Sequence, residues 1–190
     1  MKKASFFIVL GLAVLLLFGC AGGGGPLGGV STKPVDTWFV ELLKKGTDKF
    51  SPSNYFYIEI IVNATNDGYV AKAVDEEGTV DTQVTVTFDF DKDKVKELEI
   101  KKGSDYDFIL TGEFYDGKSS KREDLMFGEY EKTASDEKGV WFAVRKDSSY
   151  LAGVSTDEGY SLGELEDIIK GLIEETTGKS VEIDLSELMK

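Results

Sequence analysis

The chain has 190 residues, with 22 Lys and Arg against 35 Asp and Glu, no histidine, one cysteine and a formal net charge of −13. That length suits one globular domain. The missing histidine excludes Ser-His-Asp and Cys-His catalysis and the usual zinc sites, and the acidity denies nucleic acid the basic face its phosphates need.

The N-terminus carries the first motif. Met1-Lys2-Lys3 is a positive start, Phe6 to Phe18 is an almost unbroken apolar run, and Gly19 precedes the single cysteine, Cys20. That order is a secretory signal. The alternative is an uncleaved anchor, although the run falls short of the roughly 20 residues a spanning helix uses. The ending Leu17-Phe18-Gly19-Cys20 resembles the lipobox of prokaryotic lipoproteins. The resemblance implies removal of residues 1–19, lipidation of Cys20, and a protein held at the outer face of the cytoplasmic membrane or in the cell envelope. A diacyl anchor holds firmly because each buried methylene adds about 0.8 kcal/mol.

Residues 20–33 then read as a lipidated cysteine followed by a glycine-rich linker, with Gly22 to Gly25, Pro26, Gly28 and Gly29. Such a segment behaves as a flexible coil. The globular domain is expected over 34–190.

The spacing of Val35, Trp38, Phe39, Leu42 and Leu43 predicts a helix over 35–45, capped by Asp36 or Thr37 and ended by Gly46. After it the period changes to two. Tyr55 to Val62 reads as a strand, Asn66-Asp67-Gly68 as a turn and Tyr69 to Val74 as the return strand. Val80, Val84, Val86, Phe88 and Phe90 alternate with polar residues, so one face of that strand is buried and one meets water.

Lys96 to Lys101 and Tyr106 to Tyr115 are expected as strands. Lys121 to Met126 is expected as a short helix and Gly128 to Thr133 as a strand. Val140 to Arg145 and Tyr150 to Val154 are expected as a hairpin. Leu162, Leu165, Ile168, Ile169, Leu172 and Ile173 form the apolar stripe of a helix over 162–176. Ser161 and Glu164 make its capping box and Gly178 its stop. Val181, Ile183 and Leu185 suggest a last strand. The fold class is therefore α+β: a short N-terminal helix, an antiparallel meander of six to eight strands, and a C-terminal helix packed on one sheet face.

Thr111-Gly112 at the end of one strand and Leu125-Met126-Phe127-Gly128 are similar to the centre of sterol carrier protein 2-like domains. That resemblance implies an apolar ligand tunnel lined from the 80–90 and 106–114 strands. The chain departs from the pattern where Glu129-Tyr130-Glu131 replaces basic residues and about 60 residues follow Gly128.

Candidate chemistry is sparse. Asp89, Asp91 and Asp93 alternate as calcium-loop carboxylates do. Lys94 stands where such a loop has Gly and Ile100 where it has Glu, so a polar hairpin turn also explains them. Asp75-Glu76-Glu77-Gly78 is a second acidic turn. Asn63-Ala64-Thr65 is a glycosylation sequon.

No nucleophile elbow, phosphate loop or dinucleotide fingerprint is present, and no cofactor is implied. The sequence therefore points to a non-catalytic binding or interaction module of the envelope. Its partners would be the membrane through its lipid, and another envelope protein or a small apolar ligand. A lipid or apolar-ligand carrier is the alternative, and a hydrolase working through paired carboxylates is the third.

Overall fold

A computed structural model describes residues 29–103, 106–118, 123–149 and 159–186. Cys20, Lys121, Arg122 and the expected strand at 150–154 lie outside the described residues.

Eight antiparallel strands form a nearly closed, barrel-like sheet. They are β1 (Asp36–Lys45), β2 (Lys49–Val62), β3 (Tyr69–Val74), β4 (Thr85–Asp91), β5 (Lys94–Lys102), β6 (Tyr106–Tyr115), β7 (Leu125–Lys132) and β8 (Lys138–Arg145). Each pairs with its neighbour in sequence, except that β3 and β4 are not laddered. The first strand also pairs with the last, giving the order β3-β2-β1-β8-β7-β6-β5-β4. A two-residue strand, β9 (Tyr160–Ser161), pairs with the start of β2 and leads into the helix α1 (Leu162–Thr177).

The remaining seam is closed by single contacts. Val74 bridges Val80, the Asp81 amide donates to the Ala73 carbonyl at 2.9 Å, and Tyr69 sets its ring 5.3 Å from Phe88.

The expected helix over 35–45 is a strand. Trp38, Val40 and Leu42 point into the barrel, while Phe39 and Leu43 pack with the layer outside it. A strand covered on both faces loses its polar alternation, and its run of apolar residues then mimics a helical stripe. Gly46 ends that strand in a tight turn, its amide donating to the Lys49 carbonyl.

The expected short helix over 121–126 is likewise corrected at its end, where Leu125 and Met126 are the first residues of β7. Val181 to Leu185 forms no strand. Leu185 is buried against the helix layer instead, and its amide donates to Glu166 at 2.8 Å. Of the expected strand over 80–90 only Thr85–Asp91 is laddered, with Val80 in a single bridge; the other expected strands among the described residues, apart from 181–185, and the C-terminal helix are present.

Two apolar layers result. The barrel interior is filled by side chains, among them Trp38, Phe88, Phe90, Phe108, Phe114 and Trp141. An eight-stranded barrel is just wide enough for such filling. The strands from which the tunnel was expected thus contribute buried rings to a packed interior.

Opposite β6 and β7 residues include Gly112 and Gly128, with Trp141 beside Gly128 on β8. The Trp141 indole N–H reaches past them to the Thr111 carbonyl at 2.9 Å. The two glycines let the β6 and β7 backbones approach closely, since a Cβ on either would meet backbone atoms of the other strand.

The second layer lies outside the sheet, where Leu165, Ile169 and Ile173 of α1 cover Leu43, Phe50, Phe127, Val140, Phe142 and Val144. Each such buried aliphatic side chain contributes about 1.5–3 kcal/mol. The helix starts at the capping box of Ser161 and Glu164 and stops at Gly178 in the left-handed region.

Candidate functional site: an aromatic groove beside the open seam

The strand β3 ends at Val74, opposite Tyr57, while β2 continues back to Lys49. Where β3 stops, an open groove of about 890 Å³ remains between Tyr55–Tyr57 of β2, the turn after β3, and Lys102. Its apolar wall combines Phe39, Tyr55 and Tyr57 of the outer face of β1 and β2 with Phe56, Ala73 and Val84 at the edge of the barrel interior.

Phe39 lies 5.9 Å from Tyr55 in a stacked arrangement and 5.4 Å from Tyr57 in a tilted one. Tyr55 and Tyr57 meet edge to face at 6.5 Å. Their spacing follows from register, because Phe39 is the direct partner of Tyr57 and Glu41 of Tyr55. Tyr55 is 67% exposed, an unusual position for a large ring.

Most of the polar lining is acidic. Glu41 is only 4% exposed, although it belongs to the outer face of β1. Asp75, Glu76, Glu77 and Asp81 line the groove from the turn after β3. That turn is built firmly, with the Asp75 carboxylate accepting from the Thr79 amide at 2.7 Å and Gly78 at a φ of 89°. The Thr79 amide bond holds the Asp75 carboxyl below its ordinary range.

Two lysines approach. Lys102 lines the groove and stands 3.5 Å from Asp81. Lys146 holds its ammonium 5.8 Å from the Tyr57 ring centre and donates to the Glu76 carbonyl. Burial first, then the Glu76 carboxylate, pushes the Tyr57 phenol above its ordinary value.

The residues singled out from sequence do not converge. Asp89 is on the exposed side of β4, Asp91 pairs with Lys96 at 3.6 Å, and Asp93 pairs with Lys33 at 2.7 Å. Lys92 and Asp93 form a two-residue turn with φ of 49° and 69°, as the twist of a tight hairpin requires. Among the described residues no three His, Cys, Asp or Glu side chains are grouped to hold a metal ion.

Asn63 directly follows β2, and its side-chain amide donates to Asp67 at 2.7 Å. Sequence reading missed the groove because Phe39 was placed on a helix. The acidic turn at Asp75-Glu76-Glu77 was seen, but not what it faces.

A second ring-and-cation arrangement lies inside. Arg145 is 2% exposed and sits 4.6 Å from the Trp38 ring centre. Its guanidinium donates to Asp124 at 2.9 Å through Nε, to Asp36, and to the Lys33 carbonyl at 3.1 Å. Lys33 in turn bonds Asp93 and Asp116, each at 2.7 Å. Residues 30–33, read from sequence as the end of the linker, are thereby docked on the barrel. The Val30 amide also donates to Asn66, and the Tyr69 hydroxyl to Ser31.

Compared with protein-family models, curated proteins and solved structures, the chain matches none.

Proposed function

We propose that the protein is a lipid-anchored, extracytoplasmic binding module without catalysis, and that it takes its ligand in the groove beside the seam. The observation that carries the reading is the cluster of exposed Tyr55 with half-buried Phe39 and Tyr57 on the wall of an open groove. Three large rings held outside a filled barrel resemble a binding site: concave, mainly apolar, with a few polar groups around it. The lipobox-like Leu17-Phe18-Gly19-Cys20 supports the anchor. The docked residues 30–33 tie the tether to the turns joining β2 to β3 and β4 to β5, so a ligand in the groove leaves the tethered end free.

Two measurements test this. Cys20→Ser is expected to move the protein from the membrane fraction to the soluble one, and unchanged membrane retention overturns the lipid anchor. Native mass spectrometry of the lipidated protein, before and after organic extraction, is expected to show a bound mass that extraction removes. The Tyr55→Ala/Tyr57→Ala double variant is expected to lack that mass. If the variant keeps it, the ligand lies elsewhere and the groove loses its role.

A further inference from the structure

We propose that the groove selects a solute carrying a quaternary ammonium group. This rests on the groove being the binding site and adds the chemistry of its occupant.

Three features converge on a cation. The rings of Phe39, Tyr55 and Tyr57 pack on one another at 5.4–6.5 Å with interplanar angles of 29°, 59° and 83°, forming one contiguous aromatic patch on the groove wall. Aromatic faces are negative, and attract a cation lying within about 6 Å of a ring centre. The charge around the rings has the matching sign: Asp75, Glu76 and Glu77 line the groove beside Asp81, which Lys102 approaches, and Lys146 stands at the Tyr57 ring.

The protein also supplies its own example. The Lys146 ammonium stands 5.8 Å from the Tyr57 ring centre and is held by the Glu76 carbonyl. A lysine is tethered, strongly hydrated and half-buried at this position. A methylated ammonium sheds its water more easily, and aromatic walls are its usual recognition surface. Lys146 is therefore a placeholder, which an incoming quaternary ammonium displaces from Tyr57. The groove's volume of about 890 Å³ leaves room for a solute larger than the ammonium head alone.

The raised Tyr57 phenol agrees with this field. Burial and nearby carboxylates both disfavour the phenolate, so the ring remains a neutral wall at physiological pH.

The test is calorimetric titration of the lipidated protein, in a non-ionic detergent, with choline and with 3,3-dimethylbutan-1-ol, its neutral isostere. Choline is expected to bind at least tenfold more tightly than the isostere. Tyr57→Ala is expected to weaken choline at least tenfold, while Tyr57→Phe, which keeps the ring, preserves binding and guards against misfolding. Lys146→Met is expected to tighten choline several-fold by removing the competitor.

Equal binding of choline and its isostere overturns the cation selection and leaves the groove as an apolar site. Binding of neither, with a removable bound mass that the tyrosine double variant loses, also overturns it while the groove keeps its role. Binding of neither, with no removable mass in the wild type, overturns both proposals.

Discussion

Arg145 and Lys146 are adjacent in sequence, and each lies against an aromatic ring, but they do opposite work. Arg145 points into the barrel, 4.6 Å from Trp38, and is enclosed by Asp124, Asp36 and the carbonyl of Lys33. Lys146 lies 5.8 Å from the ring centre of Tyr57, a residue of the open groove's wall. The alternation of a strand places the two cations on opposite faces. The enclosed one has its neutralising carboxylates built in and serves as a seal. The outer one meets a surplus of acid in a site open to solvent. A ring beside a cation is therefore structural or available for binding according to whether the chain itself completes the set.

The sharpest way to break this comparison is to remove each cation in turn. Arg145→Met leaves Asp124, 5% exposed, as a buried charge without its main partner. Loss of one member of such a pair costs about 3–5 kcal/mol. Lys146→Met is expected to stay within about 0.5 kcal/mol, as surface changes usually do. Urea denaturation of both variants reads the difference, and similar midpoints would erase the distinction between seal and placeholder.

A smaller effect is expected where the interior is full. A Cβ on Gly128 would collide with the Thr111 carbonyl oxygen and the Gly112 backbone. Gly128→Ala is expected to cost about 1–3 kcal/mol through overpacking. The change should also perturb the near-ultraviolet circular dichroism of Trp141, whose indole crosses this spot. A silent substitution would mean that the interior has slack, and hence room for cargo.

The smallest effect concerns the tie beneath the seal. Hydrogen bonds to Asp116 and then Asp93 raise Lys33 above its ordinary 10.5. A cation raised on folding contributes stability that is fully present below its unfolded value. That stability is lost as pH rises through the folded value, so the loss falls above pH 10.5. The Lys33 side chain is 40% exposed, so the contribution is screened to about 0–1 kcal/mol. The alkaline fall in stability, taken as wild type minus Lys33→Met, reads this directly. Parallel curves would remove Lys33 from the seal.

The periodic parts of the molecule were legible in the sequence. Tyr69–Val74 and Tyr106–Tyr115 are strands with the expected ends, and α1 begins at its capping box and stops at Gly178. Local rules sufficed there, because each element's cap, turn and pattern agreed. The strand β1 was illegible because its outward Phe39 and Leu43 join an apolar layer that α1, more than 100 residues later, completes. The groove was illegible for a related reason. It takes Phe39 from β1, two tyrosines from β2 and an acidic turn from after β3, and nothing local says that these outward residues adjoin. Arg145 and Asp124 show the same limit, since their meeting depends on the β7–β8 register.

The pairing of the first strand with the last also sets the order in which the molecule is made. Arg145 reaches the Lys33 carbonyl across 112 residues of chain. Such distant contacts carry a loop-closure cost before they return any stability, and sheets built from them fold in milliseconds to seconds. Until β8 emerges, Trp38 lacks its guanidinium and one edge of β1 is bare. Until α1 follows, the outer faces of Leu43 and Phe142 remain wet. The barrel cannot close before residues 138–145 are available, and the first strand gains its full set of partners only then.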